Sequence, residues 1–168
     1  MKLIYINKKF YFNSLIICFI FLIDRITKIF VIYRYKENFG TQLYSSSYLN
    51  INLVWNEGIA FGLLSFNESQ IYNLLTLFIS VIILIIFIMV LKNSGLKRLG
   101  LLFIMGGALG NLYDRIFYSA VPDFFDLHIG DFHWFIFNIA DIFITMGVIF
   151  MILIEYLGNN EKNKNEQN

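Results

Sequence analysis

Gly106-Gly107-Ala108-Leu109-Gly110-Asn111-Leu112-Tyr113-Asp114-Arg115 closes one apolar segment, Val121-Pro122-Asp123-Phe124 follows in a loop, and Phe137-Asn138-Ile139-Ala140-Asp141 opens another apolar segment that continues past Gly147. The apolar runs on either side are long enough for helices that cross hydrocarbon, which takes about 20 residues each. Carboxylates, amides and a guanidinium are set into them. An Asp at the centre of such a helix costs roughly 2.5 to 3.5 kcal/mol on insertion scales, so residues kept there are functional candidates by default.

The rest of the chain fits this frame. With 58% hydrophobic and 15% charged residues among 168, the chain is too apolar for a soluble domain of its length. A net charge of +1 gives no reason to expect nucleic acid as a partner. Four segments, 11–33, 70–91, 97–117 and 135–157, are long enough to span a bilayer. The expected fold is an all-α polytopic membrane protein: four transmembrane helices plus a small extracytoplasmic β element from the two outer loops, 34–69 and 118–134. One membrane domain covers 1–158, and the polar stretch 159–168 is expected to be a disordered cytoplasmic tail. There is no internal repeat. Lys2, Lys8 and Lys9 before an apolar run imitate a secretory signal, but no small-residue cleavage site follows, so a retained first helix is expected. Cys18 lies within that run and reads as a small buried or lipid-facing residue.

Charge sets the orientation. Lys2, Lys8, Lys9, Lys92, Lys97, Arg98, Lys162 and Lys164 fall on one side, while the other carries Arg34 and Lys36 together with Glu37, Glu57, Glu68, Asp123, Asp126 and Asp131. The positive side is cytoplasmic by rule, which places both termini inside and both long loops outside. In the first loop Leu49, Ile51, Leu53 and Trp55 alternate with Asn50, Asn52, Val54 and Asn56, a period-two pattern that predicts a strand. An extended substrate could add to its edge. Gly58 and Gly62 bracket Ala60-Phe61 and imply a turn. In the second loop, Phe124, Phe125, Leu127, Ile129, Phe132 and Trp134 predict an aromatic ledge at headgroup level.

Several constellations could carry chemistry. Asp24 and Lys28 share one helix face and can pair, either as a neutral structural clasp or as part of a site. Asn111, Asp114 and Arg115 cluster at one helix end, as a structural group or as a substrate-positioning shell. The planar fork of Arg115 suits a carbonyl or phosphate-like oxygen, and its charge is expected to keep Asp114 ionised. Gly106, Gly107 and Gly110 make a smooth face for close helix approach. Asn138, Asp141 and Thr145 form a polar stripe near the outer end of the last helix. Two adjacent carboxyls share a proton, so that one activates water while the other polarises a carbonyl. Asp123 can fold back to meet Asp141, and Asp114 competes for the same place. No serine-hydrolase motif is present. His128 and His133, near Asp126 and Asp131, lack a third clear metal ligand and read as rim residues, so no metal or other cofactor is expected.

These residues resemble the lipoprotein signal peptidase family, also called signal peptidase II, aspartic proteases of the bacterial inner membrane. The match runs through Asp24 to Lys28, Asn56-Glu57-Gly58-Ile59-Ala60-Phe61-Gly62, Gly106 to Arg115, Val121 to Phe124 and Phe137 to Asp141, in order along almost the whole chain. The resemblance implies a multi-pass inner-membrane endopeptidase that removes the signal peptide of a prolipoprotein, cutting just before its diacylglyceryl-modified cysteine. It implies Asp123 and Asp141 as the catalytic dyad. Asn56, Gly58, Asn111, Arg115, Asn138 and Ala140 would hold substrate, with Asp24, Lys28 and Asp114 in support. It also implies that the cyclic peptide globomycin would block the enzyme. Arg25 departs from the family, which usually has Gln there. Membrane lipid and prolipoproteins are the expected partners, and a monomer is the expected state. The alternative from another class is a small proton- or ion-coupled transporter using the intramembrane Asp, Arg and Lys residues.

Overall fold

The computed structural model describes residues 8–58 and 69–166. Ala60, Phe61 and Gly62 of the first-loop motif, and the turn expected there, lie outside the described residues. The elements follow the order α1 (Lys8–Glu37), β1 (Tyr44–Ser45), β2 (Leu49–Asn56), α2 (Ser69–Lys92), α3 (Gly95–Tyr118), β3 (Val121–Ile129), β4 (Phe132–Phe137) and α4 (Ile139–Glu166).

Helix packing follows the small residues of α3. Ile20, Asp24 and Lys28 of α1 lie beside Gly106, Gly110 and Asp114, so α1 and α3 run parallel. A Cβ added at Gly106 would lie 2.9 Å from Ile20 Cβ, and one at Gly110 would lie 2.5 Å from Asp24 Oδ2. On the adjoining face of α3, Gly107 meets the Ala140 carbonyl, and Gly100 meets Gly147 and Met151, so α4 runs antiparallel. Only glycine allows both neighbours so close. At the end of the bundle away from the sheet, Val90 of α2 packs with Leu101, Leu102 and Met105.

Burial is inverted relative to a water-soluble protein. Asp24, Lys28, Asp114 and Asn138 are 0% exposed, while Leu15 is 67%, Leu74 65% and Ile152 63% exposed. Polar groups face inward and large apolar side chains face outward, which is stable where the solvent is lipid. The helices α2 and α4, over Tyr72–Lys92 and Ile139–Gly158, are long and apolar enough to cross a membrane. The ionic residues in α1 and α3 make those helices less apolar.

A four-stranded antiparallel sheet in the order β1-β2-β3-β4 joins the segment after α1 to the segment after α3, the β element expected of these two loops. Gly130, at φ +59°, and Asp131 make the two-residue turn of the β3–β4 hairpin. Leu53 and Phe124 bury one face against Val31 of α1. Strand β2 lies between β1 and β3, so at Asn50 and Ile51 both of its flanks are taken, and β1 pairs with no residue of β2 beyond Ile51.

Both boundaries of the last helix differ from expectation. The last helix starts at Ile139 rather than 135, because Phe137 and Ile136 pair with Phe125 and Asp126 as part of β4. An apolar run of that length fits either state, and pairing decides. The same helix continues through Gly158 to Glu166, into the stretch 159–168 expected to be a disordered tail. That stretch holds no proline, and its Glu and Lys residues are good helix formers.

Candidate active site

The site begins with the way α4 starts. Asn138 precedes the first helical residue, Ile139, and the Asp141 N–H donates to Asn138 Oδ1 at 3.2 Å. In return, the Asn138 N–H donates to Asp141 Oδ2 at 3.1 Å. This reciprocal pair is a capping box, which satisfies two helix-end donors at once. It also fixes the Asp141 carboxylate at the mouth of the bundle and leaves the Asn138 amide free to reach elsewhere. That amide donates to Asp123 Oδ1 at 2.6 Å and to Asn111 Oδ1 at 3.2 Å.

Asp123 comes from β3. A bulge between Ile51 and Val54 shifts the β2 register, so that Val54 lies opposite Asp123 and Asn56 opposite Val121. Asn56 thereby shares the Asp123 face as its diagonal neighbour and donates to Asp123 Oδ2 at 2.9 Å. The Gly58 N–H donates to Asn56 Oδ1 at 2.9 Å, a local turn that holds the amide in that orientation. Asn111 of α3 donates to Asp141 Oδ1 at 2.8 Å. Each of the four carboxylate oxygens thus receives one N–H, and capacity for a proton, water or substrate remains.

Asp123, Asp141, Asn56, Asn111 and Arg115 line one cavity of about 200 Å³ with Phe135, Ile136, Phe137, Ile144 and Thr145. Burial, and second the nearby charge of Asp141, pushes the Asp123 carboxyl up to about 6, against the Asn56 and Asn138 amides and Lys28. A proton is therefore held on this pair of carboxyls well above the usual carboxylate range.

Beneath the pair lies an ionic cluster. Lys28 contacts Asp24 at 2.9 Å and Asp114 at 2.7 Å, and Arg25 contacts Asp24 at 3.0 Å and Asp114 at 2.6 Å. Two cations and two anions cancel, which a buried group requires. Arg25 also stacks on Tyr113, with 4.8 Å between its guanidinium carbon and the ring centre. The cluster reaches the site through two hydrogen bonds. Lys28 donates to Asn111 Oδ1 at 2.8 Å, fixing which side of that amide faces Asp141, and the Ala140 N–H donates to Asp24 Oδ1 at 3.1 Å.

The residues singled out in the sequence divide into two layers. Asp123, Asp141, Asn56, Asn111 and Arg115 line the cavity, and Asn138 and Gly58 hold its walls through hydrogen bonds. Asp24, Lys28 and Asp114 are buried behind it. Ala140 is fully buried and meets α1 and α3 through its backbone. Arg115 does not hold Asp114, as its place in sequence implied. It donates to the Gly58 carbonyl at 2.7 Å, and its Nη1 has no acceptor among the described residues. Arg25 and Lys28 commit Asp114 instead. The sequence left Phe135, Ile136 and Ile144 of the cavity wall unmarked, because their apolar side chains read as ordinary helix or ledge. His133 bonds Asp126 at 2.8 Å and stacks on His128.

A profile of the family described as signal peptidase (SPase) II matches residues 16–157. The lipoprotein signal peptidase of Pelagibacter ubique is 50% identical over 161 residues, which cover 96% of each chain. That of Anaplasma marginale is 36% identical over 84% of this chain and 82% of its own. A bacterial membrane enzyme solved by the in meso method at 2.3 Å superposes with a TM-score of 0.68 at 29% identity, over 89% of this chain and 90% of that one. A second, at 1.9 Å, gives 0.64 at 27% identity, over 84% and 90%.

Proposed function

Since the chain belongs to the signal peptidase II family, we propose that Asp123 and Asp141 are the dyad that carries its proteolysis. The activity itself is the family's, removal of signal peptides from prolipoproteins by a membrane protease. The observation that carries the dyad is one amide: Asn138 caps the helix that presents Asp141 and at the same time donates to Asp123 at 2.6 Å.

In the proposed reaction Asp123 carries the shared proton and Asp141 is ionised. Asp141 takes a proton from water as its oxygen attacks the scissile carbonyl, and Asp123 gives its proton to the carbonyl oxygen. Asp141 then protonates the departing nitrogen while Asp123 recovers a proton from the tetrahedral intermediate, so the pair returns to its starting state. Arg115, which lines the cavity, is the guanidinium available to hold a substrate carbonyl. Lys28 and Asp24 act behind Asn111 and Ala140 to keep the geometry.

All four helices span the inner membrane in this proposal, with both termini cytoplasmic and the sheet outside, the chain acting as a monomer. Asp24, Arg25, Lys28 and Asp114 are compatible with lipid because they neutralise one another inside the bundle. The same closure disfavours an ion pathway, since these groups are tied to each other, and the family match favours the protease. A cut at the outer boundary lets the acyl chains of the substrate's cysteine stay in hydrocarbon while water arrives from outside. The test is incubation of purified protein in lipid with a diacylglyceryl-modified prolipoprotein and its unmodified counterpart, the products being weighed by mass spectrometry. A single cut before the modified cysteine, blocked by globomycin and indifferent to chelator, is expected. A cut elsewhere, or inhibition by chelator, would overturn the proposal.

A further inference from the structure

A second groove, of about 490 Å³, opens beside the catalytic cavity and shares Asn56, Asp123, Phe135 and Ile136 with it. The two differ in chemistry. The first extends to Ile144 and Thr145 of the apolar helix α4, whereas the second is walled by Trp55, Glu57, His133 and Trp134 on the sheet. A prolipoprotein has the same asymmetry, with an apolar signal peptide before the cut and a polar mature chain after it. The groove on the sheet therefore faces the mature side.

Apart from the pair formed by Asp123 and Asp141, its one uncompensated charge among the described residues is Glu57. Glu57 is exposed and has no ionic partner there, while His133 is tied to Asp126 at 2.8 Å, so that Asp126 cancels or outweighs any charge on the imidazole. Trp55 and Trp134 are 42% and 63% exposed, which leaves aromatic surface open to a ligand. A carboxylate sharing a groove with open indole rings suits an ammonium or guanidinium on an aliphatic stem, through charge and cation–π contact together. Glu57 follows Asn56, which bonds Asp123, and an extended chain advances about 3.3 Å per residue, so the groove lies within two or three residues of the cut.

We propose that this groove is a specificity subsite in which Glu57, on one groove with Trp55 and Trp134, selects prolipoproteins with a basic residue at the first or second position after the modified cysteine and disfavours those with an acidic one. The inference rests on the signal peptidase reading and adds to it a substrate preference. The test uses three otherwise identical modified prolipoproteins with Lys, Gln or Glu at the position after the cysteine, and a second set one position further on. Their kcat/KM values are measured with wild type and Glu57→Gln. Wild type is expected to favour Lys over Glu by about tenfold at low salt in at least one set, with the ratio shrinking as salt rises. Glu57→Gln is expected to bring it near unity and Glu57→Lys to invert it. A ratio of two rates on one preparation is insensitive to the folded fraction. Equal cleavage of all three substrates by wild type, or a ratio unchanged in Glu57→Gln, would overturn the inference while leaving the protease assignment intact. Failure of wild type to cut the Gln substrate in either set would overturn both.

Discussion

Asn138 donates its side-chain amide to Asp123 at 2.6 Å while its backbone and carbonyl oxygen exchange hydrogen bonds with Asp141. One residue thus fixes the carboxyl of a strand relative to the carboxyl of a helix. Asn138→Ala removes both the cap and the bridge. Loss of a cap costs about 1 kcal/mol, so thermal unfolding should shift modestly while kcat falls about a hundredfold or more. A large fall in stability with kcat preserved in the folded fraction would assign Asn138 to the fold alone.

Titration of Asp123 links stability to pH. Its folded carboxyl is raised to about 6 by burial and by Asp141, so the folded chain holds this proton more tightly than the unfolded chain does. That contribution is complete at acid pH and is lost as pH rises through the usual carboxylate range to about 6. Asp123→Asn cannot ionise, so it should be more stable than wild type at pH 7.5, on the order of 2 kcal/mol, and no more stable at pH 4. Thermal melts of both proteins at the two pH values check this.

The same proton governs the rate. In a dyad sharing one proton, activity falls on the basic side when that proton leaves. The Asn56 amide favours the ionised form of Asp123, so Asn56→Ala should move the basic limb of the kcat/KM profile to higher pH, whatever it does to the maximum. A shift to lower pH would contradict the role given to this amide.

The ionic cluster should behave as a unit. Removing one partner of a buried pair costs about 3 to 5 kcal/mol because the other charge is stranded. Lys28→Met should therefore destabilise strongly, and adding Asp114→Asn should recover part of the loss. Denaturant unfolding of both single variants and the double measures the coupling. Strictly additive losses would show that Lys28 and Asp114 act independently.

Much of this arrangement was legible in the sequence, and what was not has physical causes. The carboxylates and amides stood out because hydrocarbon makes them costly, and the alternation of the first loop announced β2. The bulge between Ile51 and Val54, which aligns Asn56 with Asp123, has no local signature. Phe135-Ile136-Phe137 reads equally well as helix or strand until β3 pairs with it. Arg115 beside Asp114 invited a local pairing, yet the cations that hold Asp114 lie in α1, 86 and 89 residues away. Arg25 departs from the family pattern in sequence, and only the packing of α1 on α3 reveals that it completes a neutral cluster.

The most direct test of the dyad compares initial rates of cleavage of one modified prolipoprotein by wild type, Asp123→Asn, Asp141→Asn and Asp114→Asn, each first shown to be folded. Asp123→Asn and Asp141→Asn are expected to lose at least a thousandfold in kcat, with Asp114→Asn retaining measurable activity in its folded fraction. Near-normal cleavage by Asp123→Asn alongside an inactive but folded Asp114→Asn would contradict the account and give Asp141 a different partner.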